Sequence, residues 1–263
     1  MNPAEWLLRT ARLTPGAPAL LKGIKNDADY ATFLARVAGI AGALSANYNI
    51  GKGDRVAIFM SNCTEYLEAM YGIWYTGAAV VPINAKLHAK EAAWIIADAG
   101  VKTAFISSDV SEALKAVAPD CLKTLISVDD LGFIKLRQHT PMLSPVVIND
   151  SDLLWLFYTS GTTGRPKGVM ISAGNISAMA LAYFSDVDEV LPRDAILYAA
   201  PMSHGAGIYN FMHVIKGSRH VVPDSQGFNA DEILALAPKI DNISMFAAPT
   251  MVKRLVGRAQ ATC

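Results

Sequence analysis

The sequence predicts an α/β fold of layered, mainly parallel sheets flanked by helices. Three observations carry that expectation. From about residue 30 to residue 128, helical segments and short apolar runs alternate with brief links, the rhythm of successive βαβ units. Runs such as residues 55–59 are continuously apolar, as strands covered on both faces are. Hydrophobic residues make up 52% of the 263 residues and charged residues 17%, which supplies a large core and excludes a mostly disordered chain.

Residues 3–13 read as a short opening helix. Residues 30–48 read as a second, because Phe33, Leu34, Val37, Ile40, Ala41 and Leu44 recur near helical spacing. The run Asn49-Ile50-Gly51-Lys52-Gly53-Asp54 then punctuates the chain before the strand at 55–59. Ser61 and Asn62 are candidate caps for a helix through Tyr66, Met70, Ile73 and Trp74, which Gly77 stops. Strands at 78–82, 103–107 and 124–128 alternate with helices at 90–99 and 111–117. Residues 132–152 break the rhythm with Pro141 and Pro145 and read as a connector, so a first subdomain is expected over 1–150 and a second over 151–263. The second begins with a strand at 153–158, a Gly/Thr loop and a helix at 174–183. It continues with strands at 194–199, 220–222 and 243–247 and helical runs at 206–214, at 230–236 and from 250 onward.

Lys plus Arg and Asp plus Glu balance at 23 each, so bulk charge gives no argument for a nucleic-acid partner. Cys63, Cys121 and Cys263 are far apart and form no Cys-x-x-Cys pair, which argues against a disulfide scaffold or a zinc knuckle. Residues 1–13 lack a basic stretch leading into an apolar run, so no signal peptide is expected. The longest apolar stretch, residues 71–83, is interrupted and too short to cross a bilayer. A soluble, cytoplasmic chain is the expectation.

The sharpest feature is Tyr158-Thr159-Ser160-Gly161-Thr162-Thr163-Gly164-Arg165-Pro166-Lys167-Gly168, directly after an apolar run. Glycines allow positive φ and a close approach of the backbone, whose N–H groups can turn toward an anion. The hydroxyls of Thr159, Ser160, Thr162 and Thr163 add donors, and Lys167 adds a fixed positive charge, with Arg165 nearby. Pro166 and Gly168 flank Lys167, so the loop does not fit the Walker A pattern, nor does it fit Gly-x-Gly-x-x-Gly. Composition alone also allows a surface turn rich in small polar residues.

This loop closely resembles the signature loop of the AMP-forming acyl-CoA synthetases, the adenylate-forming superfamily that includes nonribosomal adenylation domains and luciferases. Other segments are similar too. Gly53-Asp54-Arg55-Val56-Ala57-Ile58 with Asn62 and Glu65 resembles the family's first block, and Gly77-Ala78 with Val81-Pro82-Ile83-Asn84 its second. Pro201, His204 and Gly207 resemble the block after the loop, and residues 246–250 the approach to the adenine site. The resemblance runs from about Tyr30 to Leu255.

The resemblance implies a two-step reaction. A carboxylate attacks the α-phosphate of ATP, giving an acyl-adenylate and pyrophosphate; a thiol, usually coenzyme A, then takes the acyl group and releases AMP. It implies that Thr159 helps to hold Mg²⁺ and that Ser160, Gly161, Thr162, Thr163, Gly164 and Lys167 cradle the β- and γ-phosphates. Lys167 and His204 become the catalytic candidates, with His204 near the acyl-adenylate carbonyl or lining the acyl pocket. His204 needs no role as a base, since a carboxylic acid is already ionised near pH 7; taken alone, it is equally a packed or capping residue. His213 and His220 could form a metal pair but have no evident third ligand, so structural or solvent roles are expected for them, and surface or linker positions for His88 and His139. Trp74, Trp94 and Trp155 are expected in the core, and Lys253, Arg254 and Arg258 on a solvated helix face.

The family often carries Thr/Ser-His and then Asn shortly after the loop. Here Ser172 and Asn175 match but Ala173 stands at the histidine, leaving Ser172 as a helix cap. Family enzymes are roughly twice this length. No Tyr-Gly-x-Thr-Glu-like or Tyr-x-Thr-Gly-Asp-like segment occurs in the 263 residues. The expectation is the N-terminal part of the large domain of a carboxylate–CoA ligase, without the small C-terminal domain and inactive alone, with self-association through uncovered apolar surface. A non-catalytic nucleotide- or partner-binding module and part of a carrier-protein-loading enzyme stay open as alternatives. A fatty or small carboxylic acid ranks first as substrate, an aryl acid second and an amino acid third.

Overall fold

The computed structural model describes residues 1–159 and 165–262. Helix α1 (Pro3–Leu13) leads into a hairpin of β1 (Pro18–Lys22) and β2 (Lys25–Asp29), then α2 (Tyr30–Tyr48). Next come β3 (Arg55–Met60), α3 (Thr64–Tyr75), β4 (Ala79–Asn84), α4 (Ala89–Asp98), β5 (Thr103–Ile106), α5 (Ser108–Lys115), β6 (Thr124–Ser127) and α6 (Leu131–Arg137). After a connector follow β7 (Leu153–Thr159), β8 (Lys167–Ser172), α7 (Ala173–Asp186), β9 (Ala195–Leu197), α8 (Gly205–Ile208), α9 (Asn210–Lys216) and β10 (Arg219–Val222). The remainder is α10 (Ala230–Leu236), a 3₁₀ turn, β11 (Ile243–Ser244) and α11 (Pro249–Thr262).

The strands form a six-stranded sheet in the order β6-β5-β3-β4-β7-β8 and a five-stranded sheet in the order β11-β9-β10-β1-β2. Both are parallel except for one antiparallel edge strand each, β8 and β2. The layered, mainly parallel α/β architecture is therefore the one the sequence predicts. The sheets are not divided at residue 150. Strands β7 and β8 extend the first sheet, and the hairpin β1–β2 completes the second.

Period-two side-chain alternation builds the layers. On β3, Val56, Ile58 and Met60 face the largest apolar cluster, which lies between the sheets and takes in α1, α2, α3 and α9. Ala57 and Phe59 face the opposite side, against Ala92, Ile95 and Ile96 of α4 and Val110 and Leu114 of α5. On the second sheet, Leu21, Leu197 and Val221 turn outward onto Ile233 and Leu236 of α10. Helices thus cover both faces of both sheets, which is why β3, β4 and β5 are buried along almost their whole length.

Helix α2 has the limits the apolar periodicity predicts. The Asp29 carboxylate accepts the Thr32 amide at 2.7 Å at its start, and Asn49 ends it at φ 53°. The capping expected from Ser61 and Asn62 is not found. Cys63 is the N-cap of α3 and makes no side-chain cap bond, because the Asn62 amide is used between the sheets. Three strands lie outside the predicted set: β1, β2 and β8. Strand β8 has an exposed face and lacks the continuous apolar run that marks the buried strands, and β2 is a polar edge. The connector also contains α6, whose Phe133 and Leu136 are buried.

Among the described residues, no helix is long and apolar enough to cross a membrane. Trp74 and Trp155 are fully buried as expected, and Trp94 meets Tyr158 edge-on at 6.1 Å. Lys253 and Arg254 lie on the exposed face of α11, where Arg254 covers the Phe228 ring.

Candidate active site

In the first sheet, β3, β4 and β7 run parallel, so their carboxyl ends, Met60, Asn84 and Thr159, lie along one edge. Ligands approach open parallel sheets at this edge. Strand β4 pairs with β7 at Val80 and Trp155. Two residues on, Pro82 has no amide with which to continue a ladder toward β7. A cleft of about 480 Å³ occupies this region, lined by Pro82, Asn84, Glu91, Phe157, Thr159 and His204 among others.

Thr159 and Lys167 are register partners across the antiparallel pair β7–β8, and both are exposed. The loop predicted to cradle phosphate therefore leaves one strand and enters its neighbour at facing positions, beside the cleft. Ser160, Gly161, Thr162, Thr163 and Gly164 lie outside the described residues. Arg165 is exposed and Pro166 lines the cleft. After β8 the Ser172 hydroxyl accepts the Asn175 amide at 3.3 Å, and the Asn175 carboxamide oxygen accepts the Ser172 amide at 3.0 Å. This capping box starts α7 as expected, with Ala173 buried where the family often carries histidine.

His204 reaches the same cleft from the second sheet. It follows β9 and is the N-cap of α8, and its ring meets Phe157 edge-on at 5.3 Å. Its Nδ1 lies 3.0 Å from Ser203 Oγ. Partial burial lowers its pKa, so the imidazole is neutral near pH 7. Two glycines make room for this turn. A Cβ on Gly207 would stand 1.9 Å from the Met202 carbonyl oxygen, and one on Gly205 2.8 Å from the Phe246 ring.

Sequence reasoning placed Thr159, Lys167 and His204 here but missed what aligns them. Asn62 is buried at the end of β3. Its Nδ2 donates to the Tyr198 and Ala200 carbonyls, each at 2.9 Å, and its Oδ1 accepts the Met202 amide at 2.9 Å. The segment leading to His204 is thereby tied to the first sheet. Glu91, also in the cleft, accepts the His88 amide at 3.1 Å and caps α4.

The donor set fits a nucleotide polyphosphate with Mg²⁺. The Thr159 hydroxyl is a hard oxygen donor, and Lys167 offers a cation to phosphate. No group of three or more His, Cys, Asp or Glu that could hold a metal occurs among the described residues. Mg²⁺ keeps several waters and takes substrate phosphates as ligands, so a single protein hydroxyl such as that of Thr159 is chemically compatible with holding it. His213 and His220 do not enter the cleft. Both are buried: His213 Nε2 is 3.1 Å from Ser244 Oγ, and His220 Nδ1 is 2.7 Å from the Tyr198 hydroxyl.

Comparison with known proteins identifies the family. The long-chain-fatty-acid–CoA ligase FadD13 of Mycobacterium tuberculosis is 34% identical over 217 residues, 79% of this chain and 42% of that protein. The feruloyl-CoA synthase of an Amycolatopsis species is 30% identical over 253 residues, 95% of this chain and 49% of that protein. The chain thus spans about half the length of these relatives or less. The solved structure of o-succinylbenzoate CoA synthetase from Bacillus subtilis in complex with ATP and magnesium ion superposes with a TM-score of 0.80 at 25% identity, over 95% of this chain and 65% of that one. The family model for AMP-binding enzymes matches residues 7–262, so the chain belongs to the AMP-binding enzyme family.

Proposed function

We propose that these residues form the ATP-binding and acyl-activating part of an AMP-forming carboxylate–CoA ligase. The observation that carries this reading is the facing pair Thr159 and Lys167, which sets both ends of the Gly/Thr loop beside a cleft shared with His204. The similarity to CoA ligases, and to one bound to ATP and magnesium, supports it.

In the reaction proposed for the whole protein, a carboxylate oxygen attacks the α-phosphorus of ATP and the bond to pyrophosphate breaks. The coenzyme A thiolate then attacks the acyl carbonyl, and AMP leaves. Lys167 and the loop amides meet the charge that grows on the departing pyrophosphate. Bound Mg²⁺ supplies further neutralisation of that charge. The neutral His204 imidazole, held against Phe157, lines the acyl side of the cleft and offers a hydrogen bond without removing a proton. The proposed partners are a fatty or aryl carboxylic acid and coenzyme A.

Titration of the 263-residue chain with ATP and Mg²⁺ tests the cradle. Binding is expected to weaken about tenfold in Lys167→Ala, the scale of one charge-assisted contact. Equal binding by both forms would refute the role of Lys167. The 263 residues alone are expected to release little or no pyrophosphate from ATP and a carboxylic acid. A stoichiometric burst would overturn that expectation.

A further inference from the structure

We propose, given the ligase reading above, that the cavity between α7, α9 and the residues after β11 takes the carboxylic acid, and that it selects an aromatic acid carrying a hydroxyl on its ring. A cavity of about 230 Å³ lies there, lined by Tyr183, Tyr209, His213, Ser244 and Phe246 among others. It is next to the cleft: Gly205, adjoining His204, packs on the Phe246 ring, so that ring is shared between the His204 turn and the cavity wall.

The wall is aromatic. Tyr209 stacks on Phe246 at 5.7 Å and 26°, and Tyr183 meets Tyr209 at 5.5 Å. Such faces favour a planar ring beyond simple area burial. Of the apolar run near residue 209, Tyr209 belongs to this wall, whereas Phe211 and Met212 are sealed in the core.

The same cavity carries one polar pair, His213 and Ser244, whose Nε2 and Oγ are 3.1 Å apart. His213 is 1% exposed and its Nδ1 has no partner. Ser244 is half-buried; its hydroxyl also donates to the Ala195 carbonyl at 3.5 Å, and of its two lone pairs at least one is left to accept from a ligand hydroxyl. An alkyl chain lying here would strip water from this pair and return nothing. A phenolic hydroxyl can donate and accept. Among the described residues that line the cavity, no side chain is an acid, a lysine or an arginine, so the ammonium of an amino acid or a second carboxylate would find no counter-charge.

The test is calorimetric titration of the 263-residue chain with 4-hydroxycinnamate, cinnamate and octanoate, with ATP and Mg²⁺ titrated on the same preparation. 4-Hydroxycinnamate is expected to bind about five- to tenfold more tightly than cinnamate, one net hydrogen bond, and octanoate more weakly than either. In Ser244→Ala the two aryl acids should converge, with a thermal melt confirming the fold. Tyr209→Leu, a second variant, should weaken both aryl acids relative to octanoate. Equal binding of the two aryl acids, octanoate binding as well as they do, or no binding of any acid overturns the proposal. If ATP still binds in a Lys167-dependent way, the ligase reading survives that failure. If the acids bind in the expected order and ATP does not bind, the ligase reading fails and the pocket chemistry stands.

Discussion

Asn62 at the end of β3 holds the backbone amide of Met202 at 2.9 Å across the two sheets, two residues before His204. Its Nδ2 group also takes two carbonyls of the same segment. One buried side chain thus fixes the distance between the sheet that carries Thr159 and the turn that carries His204.

Asn62→Ala is expected to leave an amide and two carbonyls unpaired in a buried place. Each such loss costs on the order of 1 kcal/mol or more, so a decrease of about 2–4 kcal/mol in unfolding free energy is expected, read as a lower urea midpoint. A midpoint unchanged from wild type would show that water or rearrangement replaces all three bonds.

Glu68 is fully buried on α3 and accepts from Arg137 Nε at 2.6 Å and Arg36 Nη1 at 3.0 Å. The same guanidinium groups reach Glu65 and Asp27, joining β2, α2, α3 and α6. Removing one partner of a buried pair strands the other charge. Glu68→Ala is expected to destabilise by about 3–5 kcal/mol. A loss below about 1 kcal/mol in chemical denaturation would show that Asp27 and Glu65 neutralise both arginines unaided.

Burial lowers the pKa of His213 to about 4, and burial, with the neighbouring His213, holds that of His220 well below its ordinary value. The unfolded chain takes up protons on these residues near pH 6.5, whereas the folded chain does not until much lower pH. Stability is therefore present in full above about pH 6.5 and lost as pH falls, by up to about 1.4 kcal/mol per pH unit for each histidine. Urea midpoints at pH 7.5, 6.5 and 5.5 measure this. A flat profile across that window would count against buried neutral rings.

Gly207→Ala is expected to push α8 away from Met202, since its new Cβ would overlap the Met202 carbonyl oxygen. The His204 ring should lose its edge contact with Phe157, visible as a changed chemical shift of the His204 ring protons, alongside a lower melting temperature. An unperturbed His204 spectrum would mean that the backbone relaxes elsewhere.

The sequence alone determined the α/β class, because continuous apolar runs and helical spacing follow from local patterning. It also determined the limits of α2, whose periodicity and whose end at Asn49 lie within one segment. The loop from Thr159 to Lys167 was legible as a candidate phosphate site for the same reason: the residues that suggest that chemistry are contiguous in the chain. The tertiary structure alone decided the rest. Strands β2 and β8 show little in sequence because one face or edge of each meets solvent, and hydrophobic patterning records only burial. Asn62 looked like a helix cap, since an asparagine before a helix can serve its own backbone or a distant one, and only the second sheet's arrival at 2.9 Å chose between them. The pairing of Phe246 with Gly205 and of Ser244 with His213 joins residues 31 to 41 positions apart. No local pattern encodes such contacts, because they exist only where separate strands and helices are packed into one place.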